Sequence, residues 1–196
     1  MISLLNASLT GLWIALGVIL AIVVVVALWL VSTYNSFVKL KVTAEEGYST
    51  MDVYLKKRYD LIPNLVETVK GYAKHEKETL QNVIAARNSA MNATSVQEKA
   101  QAETELNKTL KTIFALSESY PDLKANQNFV SLQQQLQQME QDIANARKYY
   151  NATVKMLNVK VQSFPSNVVA NMFKFTKRDM FEVTDANERE NVKVEF

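Results

Sequence analysis

The chain has 196 residues, no cysteine, 22 basic and 20 acidic side chains and a net charge of +2. Without cysteine there is no disulfide framework, thiolate metal site or cysteine nucleophile, and charge this balanced and interspersed lacks the basic face that nucleic acid requires. Four glycines and three prolines leave little material for turns, so the composition is that of an all-α protein.

Leu12 to Val31 is a run of twenty almost entirely apolar residues without a charge. As a helix rising ~1.5 Å per residue it spans roughly 30 Å, the hydrocarbon thickness of a bilayer. Trp13 and Trp29 stand near its ends, where indoles favour the membrane boundary. A cleaved signal peptide would show a basic leader, a shorter apolar core and a small-residue cleavage site, and none is present. Residues 1–33 therefore read as a retained, single-pass transmembrane anchor. Residues 1–11 carry no Lys or Arg, whereas Lys39 and Lys41 follow the span, with Lys56, Lys57 and Arg58 further on. That bias predicts the N-terminus outside and the remainder on the cytoplasmic face, a periplasmic remainder being the alternative.

From Tyr34 the apolar spacing becomes helical: Phe37, Ala44, Tyr48, Met51 and Leu55 form one stripe, which Lys41 and Arg58 share. No Pro or Gly separates Val31 from Lys41, so the membrane helix should continue into this one and couple it stiffly to the bilayer. Pro63 then leaves two readings open. The apolar rhythm stays in phase across it, as in a kinked long helix, while compactness favours a break between two helices. The next helix is expected over about Asn64 to Met91, with Glu76 and Arg87 on or beside its apolar stripe. Ser95-Val96-Gln97-Glu98 is a capping box opening a third helix, with Leu106, Leu110 and Ile113 inward, that should stop at Tyr120 before Pro121.

The most regular stretch follows. Phe129, Leu136, Ile143, Tyr150, Leu157 and Phe164 recur every seven residues, with Leu132, Met139, Val154 and Val161 on the alternate seam. This predicts a coiled-coil-like helix of roughly 35–38 residues ended by Pro165. An apolar seam longer than its internal partners needs another chain or the membrane to cover it, an argument for self-assembly. Ser166 to Phe175 is a short amphipathic segment that either packs internally, the favoured reading, or docks on the bilayer with Lys174, Lys177 and Arg178 near headgroups. Residues 176–196 form a polar tail expected to be mobile.

Chemistry-bearing residues are sparse. His75 precedes a Glu, but Thr79 stands where a zinc protease needs its second histidine, and no glycine-rich nucleotide loop occurs. No catalytic residue, cofactor site or metal site is therefore expected. Lys41, Arg58, Glu76, Arg87 and Arg147 lie on or next to apolar stripes, where they either pair between helices and set register or extend to the margins of the fold.

YNSFVKLK (34–41), MDVYLKKRYDLIPNLVETVKGYAKHEKETL (51–80), ARN (86–88), SESYPDLKANQNFVSLQQQL (117–136), ARKYYNATV (146–154) and FPSNVVANMF (164–173) give the chain its resemblance to the LemA family of bacterial membrane proteins. Asp60, Pro63, Asn64, Tyr120, Pro121, Phe164 and Pro165 stand in these stretches as a structural signature. The resemblance implies one N-terminal membrane helix followed by an antiparallel, up-and-down four-helix bundle over residues 34–175, and it tips Pro63 toward the break. It brings no catalytic residues, associates the family with membrane proteases of the HtpX type, and ends at Phe175. The expected protein is a non-enzymatic, membrane-anchored scaffold that homo-oligomerises through its long helices and stabilises the envelope. An adaptor for a membrane protease or sensor is the alternative. Its expected partners are the lipid bilayer, other copies of itself and a membrane protease, with no nucleic acid.

Overall fold

The computed structural model describes residues 2–182, with side chains from Gly11 onward. The described residues are helical, without strands: α1 Ile2–Tyr72, α2 Lys77–Asn92, α3 Val96–Ser117, α4 Pro121–Lys124, α5 Gln127–Gln162 and α6 Ser166–Met172. They fall into two compact units, residues 2–42 with 156–177, and residues 43–155 with 178–182.

The first unit holds the apolar run. It is long and apolar enough to cross a membrane, and none of its most hydrophobic window is buried by protein. Beyond it Phe37 is fully buried with Leu157, Val169 and Ala170, and Leu30, Leu40, Val161 and Phe175 pack around them. Each of the larger side chains, Phe37, Leu157 and Val169, contributes about 1.5–3 kcal/mol on removal from water. Phe164 does not extend the seam of α5: the helix ends at Gln162, and the Phe164 ring is 83% exposed.

The second unit has the larger core. Ala44, Met51, Leu55, Ile62, Leu65 and Val69 of α1 meet Val83 and Ala90 of α2, Leu106 and Ile113 of α3, and Phe129, Leu136, Ile143 and Tyr150 of α5. With the Leu157 of the first unit, the heptad residues Phe129 to Leu157 are all buried by this chain itself, so they leave no uncovered overhang. That withdraws the seam as an argument for self-assembly. Gly47 marks a close approach of α1 and α5, because a Cβ there would lie 3.1 Å from the Tyr149 ring and 3.4 Å from the Tyr150 Cα.

The boundary between the first two helices differs from expectation. The chain does not break at Pro63, since α1 runs through it, and the turn falls at residues 73–76, just past Gly71. His75 is exposed in that turn. The capping box forms as spaced: the Ser95 hydroxyl accepts the Glu98 N–H at 3.1 Å, and the Glu98 carboxylate accepts the Ser95 N–H at 3.2 Å. The tail also differs through Glu182. Asn151 donates to the Phe181 carbonyl at 3.0 Å and accepts its N–H at 2.8 Å, while the Phe181 ring is buried. Residues 183–196 of the expected tail lie outside the described residues.

Candidate functional site

Pro63 explains the most unusual feature of the second unit. In a helix the N–H of residue 63 would bond the carbonyl of Tyr59, and proline has none to give. A buried carbonyl without a donor is costly, by about 1–3 kcal/mol. Here Arg87 of α2 supplies the donor, its Nε lying 2.7 Å from the Tyr59 carbonyl oxygen. With that bond made across the core, and Ile62, Leu65, Val66 and Val69 buried on one face, α1 continues where a break was expected.

The neighbouring residues carry a buried polar cluster. Arg58, only 3% exposed, directs Nη1 to Glu103 Oε2 of α3 at 3.1 Å and to Glu140 Oε2 of α5 at 3.0 Å. Its Nη2 donates to Asn107 Oδ1 of α3, and the Tyr59 hydroxyl donates to Glu103 Oε1. One guanidinium thus joins α1, α3 and α5, and Arg87 adds α2. A further pair, Lys99 with Asp52 at 2.7 Å, ties α3 to α1 a little way off. Burial raises the Glu103 carboxyl above the ordinary carboxylate range, although the Arg58 charge and the Tyr59 hydroxyl oppose it. Burial, reinforced by the Glu103 charge, also pushes the Tyr59 phenol far above its ordinary value. The Tyr59 phenol therefore stays protonated at neutral pH and serves as a hydrogen-bond donor.

The other residues singled out in the sequence lie apart from this cluster. Lys41 is exposed, so spacing alone misplaced it on the buried stripe. Glu76, at the α1–α2 turn, accepts the Tyr120 hydroxyl at 3.3 Å, and Arg147 is half-buried on α5. Asp60, Asn64, Pro121 and Pro165 are exposed, and Pro63 and Tyr120 are half-buried. Arg178 pairs with Glu45 at 2.5 Å, within the second unit. Sequence reasoning missed Tyr59, Glu103, Asn107 and Glu140. Glu103 had a signal, since it falls between Ala100 and Leu106 on the apolar stripe of α3.

Among the described residues no cluster of three or more His, Cys, Asp or Glu could hold a metal. A groove of about 830 Å³ lies between the end of α1 and the start of α2, floored by Val66, Ala73, Leu80 and Ile84 and rimmed by Lys70, Lys74, Lys77 and Glu67, the last paired with Lys70 at 3.2 Å. The cluster joins helices and the groove offers a surface, and neither assembles a nucleophile with a base.

The family model described as LemA family matches residues 47–196. The match includes the tail that had been placed outside the resemblance. The chain is 27% identical over 147 residues to "Protein LemA" of Metamycoplasma hominis, covering 71% of this chain and 63% of that protein, so it spans less than two thirds of that relative's length. It is 22% identical over 185 residues to the magnetosome proteins MamQ 2 and MamQ 1 of Paramagnetospirillum magneticum, covering 81% of this chain and 68% of each. None of these names carries an enzymatic term.

Proposed function

Because the chain belongs to the LemA family, we propose that it is a non-enzymatic, membrane-anchored scaffold whose helices assemble with other copies to organise or stabilise a bacterial envelope. The observation that carries this reading is the use made of the polar interior. Arg58 and Glu103 are both 3% exposed and bond each other, Tyr59, Asn107 and Glu140, so they hold helices together and face no substrate. Buried ionic groups have their best-attested role in fixing register and partner choice. The residue pairs support an up-and-down four-helix arrangement. Asp52 and Arg58 of α1 meet Lys99 and Glu103 of α3 in ascending order, whereas Tyr48 and Arg58 meet Tyr150 and Glu140 of α5 in descending order. Lys39 and Lys41 after the span favour a cytoplasmic bundle and an external N-terminus.

The test is the mass and particle shape of the full-length protein in mild detergent, beside a version beginning at Tyr34. Large closed or filamentous particles formed only by the full-length protein support the scaffold. Monomers or dimers from both would retire it. The groove beside α2 favours the second reading, an adaptor, because its apolar floor and net basic rim, with Lys74 and Lys77 beyond the Lys70–Glu67 pair, suit an acidic amphipathic helix of a membrane protease or sensor. A stoichiometric complex abolished by Leu80→Lys would support that role, and a complex indifferent to Leu80→Lys would count against the groove.

A further inference from the structure

The first unit differs chemically from the rest of the chain. Residues 1–42 and 156–177 contain Lys39, Lys41, Lys160, Lys174 and Lys177 and no Asp or Glu, so all 20 acidic side chains lie elsewhere. The five lysines come from two segments far apart in the sequence that the fold brings into one body. Lys160 is engaged internally, bonding Ser36 with its ammonium 5.3 Å from the Phe37 ring centroid. Lys39, Lys41, Lys174 and Lys177 are exposed.

Aromatic packing fixes α6 at the level where the apolar run ends. The Tyr34 ring centroid is 4.7 Å from that of Phe173 and 5.7 Å from that of Phe175, and Phe37 stacks on Phe175 at 4.8 Å. Leu30, in the last turn of the run, packs on the same cluster as Val169 and Ala170. Tyr34 stands three residues beyond Val31, about 4.5 Å along the axis at ~1.5 Å per residue, within the depth of a headgroup layer. This packing uses only part of α6. Val168 and Met172, four residues apart and so on one face, are 54% and 57% exposed, and Phe173 and Phe164 are 47% and 83% exposed.

We propose that α6, with Phe164 and Phe173, is a second membrane contact: an interfacial foot lying in the headgroup region of the bilayer that α1 crosses, with the surrounding lysines selecting anionic, phosphate-bearing lipids. The inference rests on reading residues 12–31 as an anchor and adds to it a lipid surface with a preference. Apolar and aromatic side chains beside lysines, held at the end of a span, match the layered chemistry of the interface: acyl chains below, phosphates above. A water-facing location would leave the same four apolar side chains hydrated for no gain. Anionic lipid supplies the negative charge that the unit itself lacks.

The experiment uses the full-length protein in vesicles of phosphatidylcholine, with and without phosphatidylglycerol, and brominated acyl chains as quenchers. Phe164→Trp in a Trp13→Phe, Trp29→Phe background reports on the foot, with Phe173→Trp as a second reporter. A Trp13→Phe protein, in which Trp29 remains, reports on the span. The proposal expects both foot reporters to be quenched by shallowly brominated lipid, about twofold or more strongly when phosphatidylglycerol carries the bromine. Lys174→Glu with Lys177→Glu should remove that excess. Unquenched foot reporters beside a quenched Trp29 would overturn the foot and leave the anchor standing. An unquenched Trp29 would remove the anchor and the foot with it. Foot reporters unquenched by lipid yet shielded from aqueous iodide would assign the face to another copy of the chain and overturn the proposal. Equal quenching by both lipids would overturn the anionic selection.

Discussion

The two units handle charge in opposite ways. The second contains every acidic residue among those described, and at its centre sets Arg58 against Glu103 and Glu140 in a cluster linking three helices. The first contains only lysines and is closed by an apolar and aromatic cluster around Phe37. At the centre of the second unit charge therefore works inside the protein, where removing Arg58 or Glu103 strands the other. In the first unit no carboxylate is present to answer the lysines, and packing is left to Phe37, Leu157, Val169 and Ala170. A surplus of basic residues spread over 196 residues looks trivial at +2, and the fold sorts it into one cationic body and one body of mixed charge.

The contrast fails most decisively if Arg58→Met is tolerated. With Glu103 left buried and unpaired, stability should fall by about 3–5 kcal/mol in denaturant unfolding followed by helical circular dichroism, and Arg58→Met with Glu103→Gln should recover part of the loss. Next in size, Arg87→Met should cost about 1–3 kcal/mol by stranding the Tyr59 carbonyl. Most of that loss should disappear in a Pro63→Ala background, where the substituted residue supplies the missing N–H. Equal losses in both backgrounds would detach Arg87 from Pro63. A pH series sharpens the picture further. Because burial raises the Glu103 carboxyl, the unfolded chain releases that proton at lower pH than the folded one. Wild-type stability relative to Glu103→Gln should therefore decline as pH rises from the ordinary carboxylate range through the raised folded value. A rise over that window would mean that pairing with Arg58 outweighs desolvation. The smallest effect belongs to the first unit: Lys39→Gln and Lys177→Gln should each change stability by less than about 0.5 kcal/mol.

What could be read in the sequence was whatever depends on neighbours close along the chain. The capping box at Ser95, the long apolar helix, and the 36-residue length of α5 follow from local spacing. Arg58 and Arg87 were visible as charges on apolar stripes, although their partners were not. Pro63 was misjudged because its remedy is remote: the donor that compensates it sits on α2, and nothing near residue 63 announces it. The helix ends instead after Gly71, a weaker stop in isolation than proline but one with no such rescue. Phe164 fitted the seven-residue rhythm and still fell outside the core, since the helix carrying that rhythm ends at Gln162. Glu103 carried a local signal, its place on the apolar stripe of α3, but the partners that make its burial tolerable, Arg58 and Tyr59, lie on another helix.

The grip of Asn151 on Phe181 has a consequence for how the segment after α6 can vary. A carboxamide that donates to a residue's carbonyl and accepts its N–H mimics the edge of a strand, and Tyr150 adds a bond from its hydroxyl to the Asp179 carbonyl at 2.8 Å. All three bonds read main chain, which every residue except proline presents alike. Identity is demanded only by the buried ring of Phe181. Substitution should drift freely at Asp179 and Glu182, whereas position 181 should accept little beyond another large apolar side chain.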